Sequence, residues 1–484
     1  MQVFKNLVGK YRSFSAPAKA SFWFVVSNVM LRGISFITLP LFSRLMTTEQ
    51  YGEMSVYHSW ISIFTIFTTL TLWGGVFNVV MVKNPDNQNK YIAAFQGLAI
   101  TITAVFLAFS IVFETVSSSL LSLSPFLAVS VFINILATIP FFLWSAKQRF
   151  AYKYKMLVAI TVVTSVLNPL LGYFFVISTD KKAEARIFAE LIVNCILGIS
   201  FFFINLRNGK VFFDKAIWKY AFKFNVVLVP HYLSMQVLSQ SDRLMINKIC
   251  GSSDAGIYSV AYTFGMLLTL VTSGLESSTT PYIYKAIKEN NVLKMKKNMD
   301  ILLVFLMVLS VFSMCLIPDF FKLLLPDSYY SAIWVIPPVI GAVFFMFLYP
   351  MFGSVEFYFE ERKYVTFATA FAAALNVILN FVFIKLFGFI AAAYTTLFCY
   401  MAMSLFHFFA MNLVLKKHNF NENIYDNKFI FLLSSVLILI VGIMPVLYMN
   451  TIVRWWCVIG AICVAGILGR KRIAGVIRDI KYNC

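Results

Sequence analysis

The sequence predicts an all-α polytopic membrane protein of about fourteen transmembrane helices, arranged as two six-helix bundles plus two C-terminal helices. Three observations carry this expectation. Of 484 residues, 60% are apolar and only 13% are charged, about half the charge density of soluble domains. Mean hydropathy is +0.81. Apolar runs long enough to cross a bilayer, at about 20 residues each, recur along the whole chain. A water-soluble enzyme, a secreted disulfide scaffold and a disordered chain are excluded, because too little polar surface exists to cover the molecule.

The runs fall at about 20–44, 55–82, 91–113, 123–145, 156–178, 186–206, 225–249, 257–280, 299–317, 332–354, 364–384, 389–415, 429–450 and 455–469. No ten-residue alternating pattern recurs, so a β-barrel is not expected. The basic residues test the count. With the N-terminus inside, thirty of the 40 Lys and Arg lie on inner segments and eight lie outside or at outer helix ends. The remaining two, Arg32 and Arg243, lie within helices. An even number of spans with both ends cytoplasmic follows. The net charge of +19 is thereby assigned to topology and anionic headgroups, and no nucleic-acid partner is needed.

An internal repeat is visible at an offset of 204 residues. Tyr51-Gly52-Glu53-Met54-Ser55-Val56 resembles Ala255-Gly256-Ile257-Tyr258-Ser259-Val260, and each segment opens a span. Later, Thr164-x3-Asn168 echoes Asn376-x3-Asn380. Two halves with the same orientation imply a pseudo-two-fold axis along the membrane normal. The expected divisions are 1–206, a basic and aromatic surface linker at 207–223, a second bundle at 224–415, and two further helices with a basic tail at 416–484. The longest outer loop is expected at about 318–331.

Charged groups within spans mark candidate sites, because each costs about 2.5–3.5 kcal/mol at mid-bilayer on insertion scales. Asn28, Arg32 and Ser35 share a face of the first helix by helical spacing. Tyr232, Gln236, Ser239, Arg243 and Asn247 share a face of the seventh. The offset of 204 maps one stripe onto the other, so both are expected to line a polar cavity; the alternatives are helix–helix hydrogen bonding and snorkelling arginines. Guanidinium cannot discard its charge and grips phosphate bidentately, so Arg32 and Arg243 are the candidate anion-binding residues. Asp242 either holds an arginine or carries a proton, and Glu276 is either an ion-coupling site or an interfacial carboxylate. His231 and His407 could titrate near neutral pH. Gly74 and Gly75 read as close-packing residues. The seven cysteines have no metal-like spacing, and neither a P-loop, a nucleophile elbow nor HExxH is present. No cofactor, no metal and no enzymatic activity are expected.

Arg32-Gly33, then Leu39-Pro40-Leu41-Phe42-Ser43-Arg44-Leu45-Met46-Thr47-Thr48-Glu49-Gln50-Tyr51-Gly52, resembles the opening of the polysaccharide and O-antigen flippases. These belong to the multidrug/oligosaccharidyl-lipid/polysaccharide exporter superfamily. Ser241-Asp242-Arg243-Leu244-Met245-Ile246 with Gly256-Ile257-Tyr258-Ser259-Val260-Ala261-Tyr262 resembles the start of that family's second half, and Leu375-Asn376-x3-Asn380 resembles its eleventh helix. The resemblance implies the two-bundle fold of the multidrug exporters with helices 13 and 14 outside it. It also implies a monomer in the bacterial cytoplasmic membrane that flips an undecaprenyl-diphosphate-linked oligosaccharide outward, working beside a polysaccharide polymerase and chain-length machinery. In that family cationic cavity residues are held to engage the diphosphate, and residue by residue Arg32, Asp242 and Arg243 carry over. The alternatives are a multidrug/cation antiporter of the same superfamily and, from another class, a membrane polysaccharide polymerase.

Overall fold

The computed structural model describes residues 15–456, apart from 290 and 421, together with 459–460. The expected fourteenth span at 455–469 falls almost wholly outside the described residues, as do the extreme N-terminal and C-terminal basic clusters.

In chain order the helices are α1 (Ala16–Leu45), α2 (Thr48–Thr69), α3 (Val76–Lys83), α4 (Gln88–Val112), α5 (Glu114–Leu121), α6 (Pro125–Phe150), α7 (Tyr154–Ile177), α8 (Lys182–Gly209) and α9 (Lys215–Val226). They continue as α10 (Val229–Cys250), α11 (Ser252–Gly265), α12 (Thr269–Lys288), α13 (Val292–Leu324), α14 (Ile336–Tyr358), α15 (Arg362–Phe387), α16 (Ile390–Lys417) and α17 (Asn427–Tyr448). No strand occurs among the described residues. Among the described residues, eleven helical stretches are long and apolar enough to cross a membrane. Two further long helices, α2 and α10, are absent from that set because polar residues interrupt their apolar faces. Both contribute to the polar sites below.

Several starts follow from capping chemistry. Thr47 and Gln50 form a reciprocal capping box at α2, with Gln50 N–H donating to Thr47 Oγ1 at 3.2 Å and Thr47 N–H to Gln50 Oε1 at 3.1 Å. Ser15 caps α1 by accepting from Ala18 N–H. Asp214 caps α9 by accepting from Ala216 and Ile217 N–H, each at 3.1 Å.

Three expectations are corrected. The expected span 55–82 is not one helix: α2 ends at Thr69, and the chain unwinds through 70–75 before α3. Leu70 and Thr71 take left-handed backbone (φ 51° and 50°) and Gly75 has φ 37°. Gly75 is therefore a helix breaker, not only a packing glycine. The expected outer loop 318–331 is mostly helical, because α13 continues to Leu324 and a 3-10 turn follows at Asp327–Val335. Buried charge is also commoner than the two in-span arginines suggested, since Glu356, Asp242 and Arg454 are each at most 2% exposed.

The chain packs as two compact units: residues 1–259 with 373–389, and residues 260–372 with 390–484. In the first, α6 packs on α4 and α8, α7 on α1 and α8, and α2 on α10. Trp144, Leu157 and Phe201 form a buried apolar cluster there. In the second, α14 is the central, most enclosed helix and packs on α12, α13, α16 and α17. Arg454 donates to Asp319 at 2.6 Å within it.

Candidate functional site

The first unit contains a partly open cavity of about 640 Å³. Its polar wall is built from α2 (His58, Ser62, Thr65), α6 (Asn134, Thr138), α7 (Thr164, Ser165, Asn168), α8 (Glu190, Asn194) and α10 (Tyr232, Gln236). Trp73, Phe141 and Phe142 supply aromatic faces, and Trp73 stacks obliquely on Phe142 with centroids 5.0 Å apart. Thr71 and Trp73 come from the break between α2 and α3, so the unwound backbone lines the cavity. Non-helical backbone in a membrane protein is tolerated where it is buried or borders such a space.

A connected network organises the wall. Asn134 Nδ2 donates to Glu190 Oε1 at 3.1 Å and to Tyr57 Oη at 3.2 Å. Asn194 Nδ2 donates to Asn134 Oδ1 at 2.9 Å, and Tyr57 Oη donates to the Ser130 carbonyl at 3.2 Å. His58 Nε2 lies 3.5 Å from Glu190 Oε2. Asn168 Oδ1, in contrast, is buried with no hydrogen-bond partner. An acceptor left over in a cavity wall is an open position for a ligand donor or a water.

A second cluster, of buried side chains, lies in the same unit. Asp242, 1% exposed, accepts from Tyr258 Oη at 2.6 Å and from Asn380 Nδ2 at 2.7 Å. Asn380 also donates to Asn376 Oδ1 at 3.1 Å, and Ser241 Oγ donates to the same oxygen at 2.8 Å. The two echoed motifs of the sequence thus both reach polar sites: Thr164 and Asn168 at the cavity, Asn376 and Asn380 around Asp242.

The predicted site residues are distributed unevenly. Gln236 and Tyr232 line the cavity. Ser239 donates to the Gln236 carbonyl at 3.2 Å. Arg243 is half-buried and donates through Nη1 to the Ser239 carbonyl at 3.0 Å and to Gln240 Oε1 at 3.1 Å. Gln240 also accepts from Ser59 on α2 at 3.2 Å. Asn247 accepts from Ser252 at 2.8 Å, which ties the end of α10 to α11. Asn28, Arg32 and Ser35 are exposed on α1, and Leu31 rather than Arg32 reaches this cavity. Glu276 is half-buried on α12 of the second unit, and His231 tilts against Tyr232.

Sequence reasoning missed His58, Asn134, Glu190 and Asn194. The signals existed: Glu190 and Asn194 are four residues apart inside the expected span 186–206, and Asn134 stands in the middle of 123–145. Arg186, one turn before Glu190, is also held inside, its guanidinium 4.8 Å from the Phe42 ring centroid. Among the described residues no group of three or more His, Cys, Asp or Glu could hold a metal ion.

Fold and site together define a class, the multi-pass membrane proteins of the multidrug/oligosaccharidyl-lipid/polysaccharide exporter fold. The chain is similar to a solved structure of a lipid II flippase, MurJ, in an inward closed conformation, with TM-score 0.64, 13% identity and coverage of 94% of this chain and 100% of that one. It is also similar to an inward-facing multidrug resistance transporter of the MATE family, with TM-score 0.60, 12% identity and coverage of 82% and 96%. A family model described as "Polysaccharide biosynthesis protein" matches residues 18–269, and the chain belongs to that family. Two proteins of Haemophilus influenzae are similar in sequence. One, an uncharacterized membrane protein, is 24% identical over 279 residues, covering 57% of this chain and 67% of that protein. The other, "Lsg locus putative protein 1", is 22% identical over 310 residues, covering 62% and 74%.

Proposed function

We propose that this protein is a flippase that moves a polyprenyl-diphosphate-linked oligosaccharide, the repeat unit of a surface polysaccharide, from the inner to the outer leaflet of the bacterial cytoplasmic membrane. It performs no covalent chemistry on its cargo. The observation that carries this reading is the make-up of the cavity in the first unit. Its wall is rich in neutral amides, hydroxyls and aromatic faces (Asn134, Asn168, Asn194, Gln236, Trp73, Phe141). Sugars are bound by such groups, because each hydroxyl needs a donor or acceptor and each pyranose face stacks on an aromatic ring. The diphosphate is assigned to Arg32 and Arg243 and the polyprenyl tail to the bilayer side. Asn28, Ser35, Gln236, Ser239 and Asn247 complete the polar path. Asp242 is the coupling-ion candidate of the first unit, and Glu276 that of the second. The protein works as a monomer with cytoplasmic termini, passing its cargo to a polymerase and chain-length machinery.

The test is surface polysaccharide display in cells carrying Arg32→Ala or Arg243→Ala at matched membrane levels. Each substitution removes charge-assisted hydrogen bonds worth about 1.5–3 kcal/mol, so display is expected to fall about tenfold or more. Wild-type display in both variants would sink the anion site. A second reading, a cation antiporter, is favoured by one observation, the Glu190 carboxylate in the cavity wall. Because that carboxylate is already engaged by Asn134 and His58, the flippase reading predicts no efflux of cationic dyes from cells expressing the protein.

A further inference from the structure

The second unit contains a titratable pair that the cavity chemistry does not use. His407 Nδ1 on α16 and Glu356 Oε1 on α14 are 2.8 Å apart. Their side chains are 1% and 0% exposed. Both outward-pointing atoms of the pair, Glu356 Oε2 and His407 Nε2, are buried with no hydrogen-bond partner. A pair retained only to bind α14 to α16 would be expected to satisfy the second carboxylate oxygen, since an unmet buried acceptor opposes folding. Two orphaned polar atoms on one hydrogen-bonded pair point to a ligand that comes and goes. The smallest ligand such a pair can take is a proton.

We propose that Glu356 and His407 form a proton-binding site of the second unit that loads and releases one proton as the protein changes conformation. With one shared proton the pair is net neutral, either as carboxylate and imidazolium or as carboxylic acid and imidazole. Removing that proton leaves a carboxylate beside a neutral ring; adding a second leaves an imidazolium beside a neutral acid. Each is an uncompensated charge in a site without solvent, so the packed arrangement described here tolerates only the singly protonated pair. Exchange therefore requires α14 and α16 to part, which links proton movement to opening of the unit.

The surroundings leave the pair electrically isolated. On its own helix, Tyr349 stacks on the His407 ring (5.7 Å, 28°). From α16, Tyr400 stacks in turn on Tyr349. From α12, Glu276 acts electrostatically on Tyr349. Ahead of α17, Tyr425 is committed to the Met351 carbonyl at 2.9 Å. Past the end of α14, Glu361 is engaged by Lys417, Lys363 and His418. The remaining charges of the packed helices are Lys285 and Lys288 on α12, Asp300 and three lysines near the start of α13, Lys322 and Asp319 near its far end, Lys416 in the last turn of α16, and Lys428 on α17. Among the described residues none of these forms an ion pair with Glu356 or His407.

The proposal deepens the transport reading by naming a coupled ion, and the first arm of its test does not depend on that reading. Infrared difference spectra of the purified full chain would be taken between about pH 5 and about pH 9, the range in which histidine-containing sites exchange protons. The comparison is of wild type, the single variant His407→Gln, and two variants without the carboxylate, Glu356→Gln and the neutral hydrogen-bonding double variant Glu356→Gln/His407→Gln. The expected result is a pH-dependent carboxyl band in wild type that is missing from both variants and altered in His407→Gln. The double variant, judged by gel filtration and melting, is expected to stay folded. Identical difference spectra in wild type and Glu356→Gln would overturn the proposal. In the second arm, proteoliposomes carrying a pH-sensitive dye receive undecaprenyl diphosphate as the probe. Proton movement is expected in wild type and lost in the double variant; wild-type proton movement in the double variant would make the pair merely structural. If the band titrates while the probe moves no protons even in wild type, the proton site stands and the cargo assignment is what fails.

Discussion

Asp214 shows how a single surface residue couples segments that lie far apart in sequence. Its carboxylate caps α9 and pairs with Lys90 of α4 at 2.9 Å. The hydrogen bond from Lys90 is the main cause that holds its pKa below the ordinary aspartate value, followed by the bond from the Ile217 N–H. A carboxyl depressed in the folded state contributes stability above its unfolded pKa, and that contribution is lost as pH falls through the folded value. Asp214→Asn should therefore melt below wild type at neutral pH in detergent. The difference should shrink as pH drops below about 4, the unfolded aspartate range, and a pH series of thermal melts checks it. The sequence marked 207–223 as an amphipathic surface linker, but the pairing with residue 90 is a long-range fact that no local pattern encodes. The same limit explains the missed cavity residues. Arg32 and Arg243 stood out because a guanidinium is conspicuous in an apolar run. Asn134 and Asn194 did not, because amides in spans usually serve helix packing, and only their convergence on Glu190 and His58 shows a wall.

At the scale of elements, the broken second span is the feature that most shapes the cavity. Unwinding 70–75 frees backbone groups that must find partners away from water. Asn225, at the end of α9 and 0% exposed, supplies them. Its Nδ2 donates to the carbonyls of Leu70 at 2.8 Å and Thr71 at 3.2 Å, and its Oδ1 accepts from Val76 N–H at 3.1 Å. One side chain thus caps the end of α2 and the beginning of α3. Asn225→Ala would orphan two buried groups, the Leu70 carbonyl and the Val76 N–H, each costing about 1–3 kcal/mol, whereas the Thr71 carbonyl keeps the Gly74 N–H at 2.9 Å. The expected outcome is a clearly lowered melting temperature, with faster hydrogen exchange at the Val76 amide than at amides in the middle of α6. Exchange at Val76 unchanged from wild type would show that the break is held by something else. Hydrophobicity alone read 55–82 as one span, since Leu70, Leu72, Trp73, Val76 and Phe77 keep the run apolar. The Gly74-Gly75 pair was in view, but which use a glycine serves is decided by a partner 150 residues away in sequence. By contrast, the even spacing of the other apolar runs made nearly every remaining element legible, because each must span a bilayer of fixed thickness.

For the whole molecule, the internal repeat makes a geometric statement that the structure allows to be tested at one contact. Gly52 and Gly256 are equivalent under the offset of 204, and so are Thr48 and Ser252. A Cβ built on Gly52 would lie 1.8 Å from the Ser252 carbonyl oxygen, and one on Gly256 would lie 2.1 Å from the Thr48 carbonyl oxygen. Residue i touches the equivalent of j while j touches the equivalent of i, which is the signature of a two-fold contact. Both distances are far under the 3.0 Å that real Cβ atoms essentially never breach, and the obstructing atoms are backbone, so no rotamer change relieves them. Alanine at either position must push the starts of α2 and α11 apart by roughly an ångström or more, since carbon–oxygen contacts sit near about 3.5 Å. Beside this crossing, Thr48 Oγ1 and Ser253 Oγ are 2.7 Å apart, so cysteines at these two positions should cross-link readily when oxidised. Introducing Gly52→Ala or Gly256→Ala into the Thr48→Cys/Ser253→Cys protein should sharply slow that cross-link. Because both substitutions report one shared contact, the double alanine variant should slow it little beyond the worse single, the non-additivity expected of coupled sites. Undiminished cross-linking in both single variants would mean that the two helices do not meet glycine to glycine in the membrane.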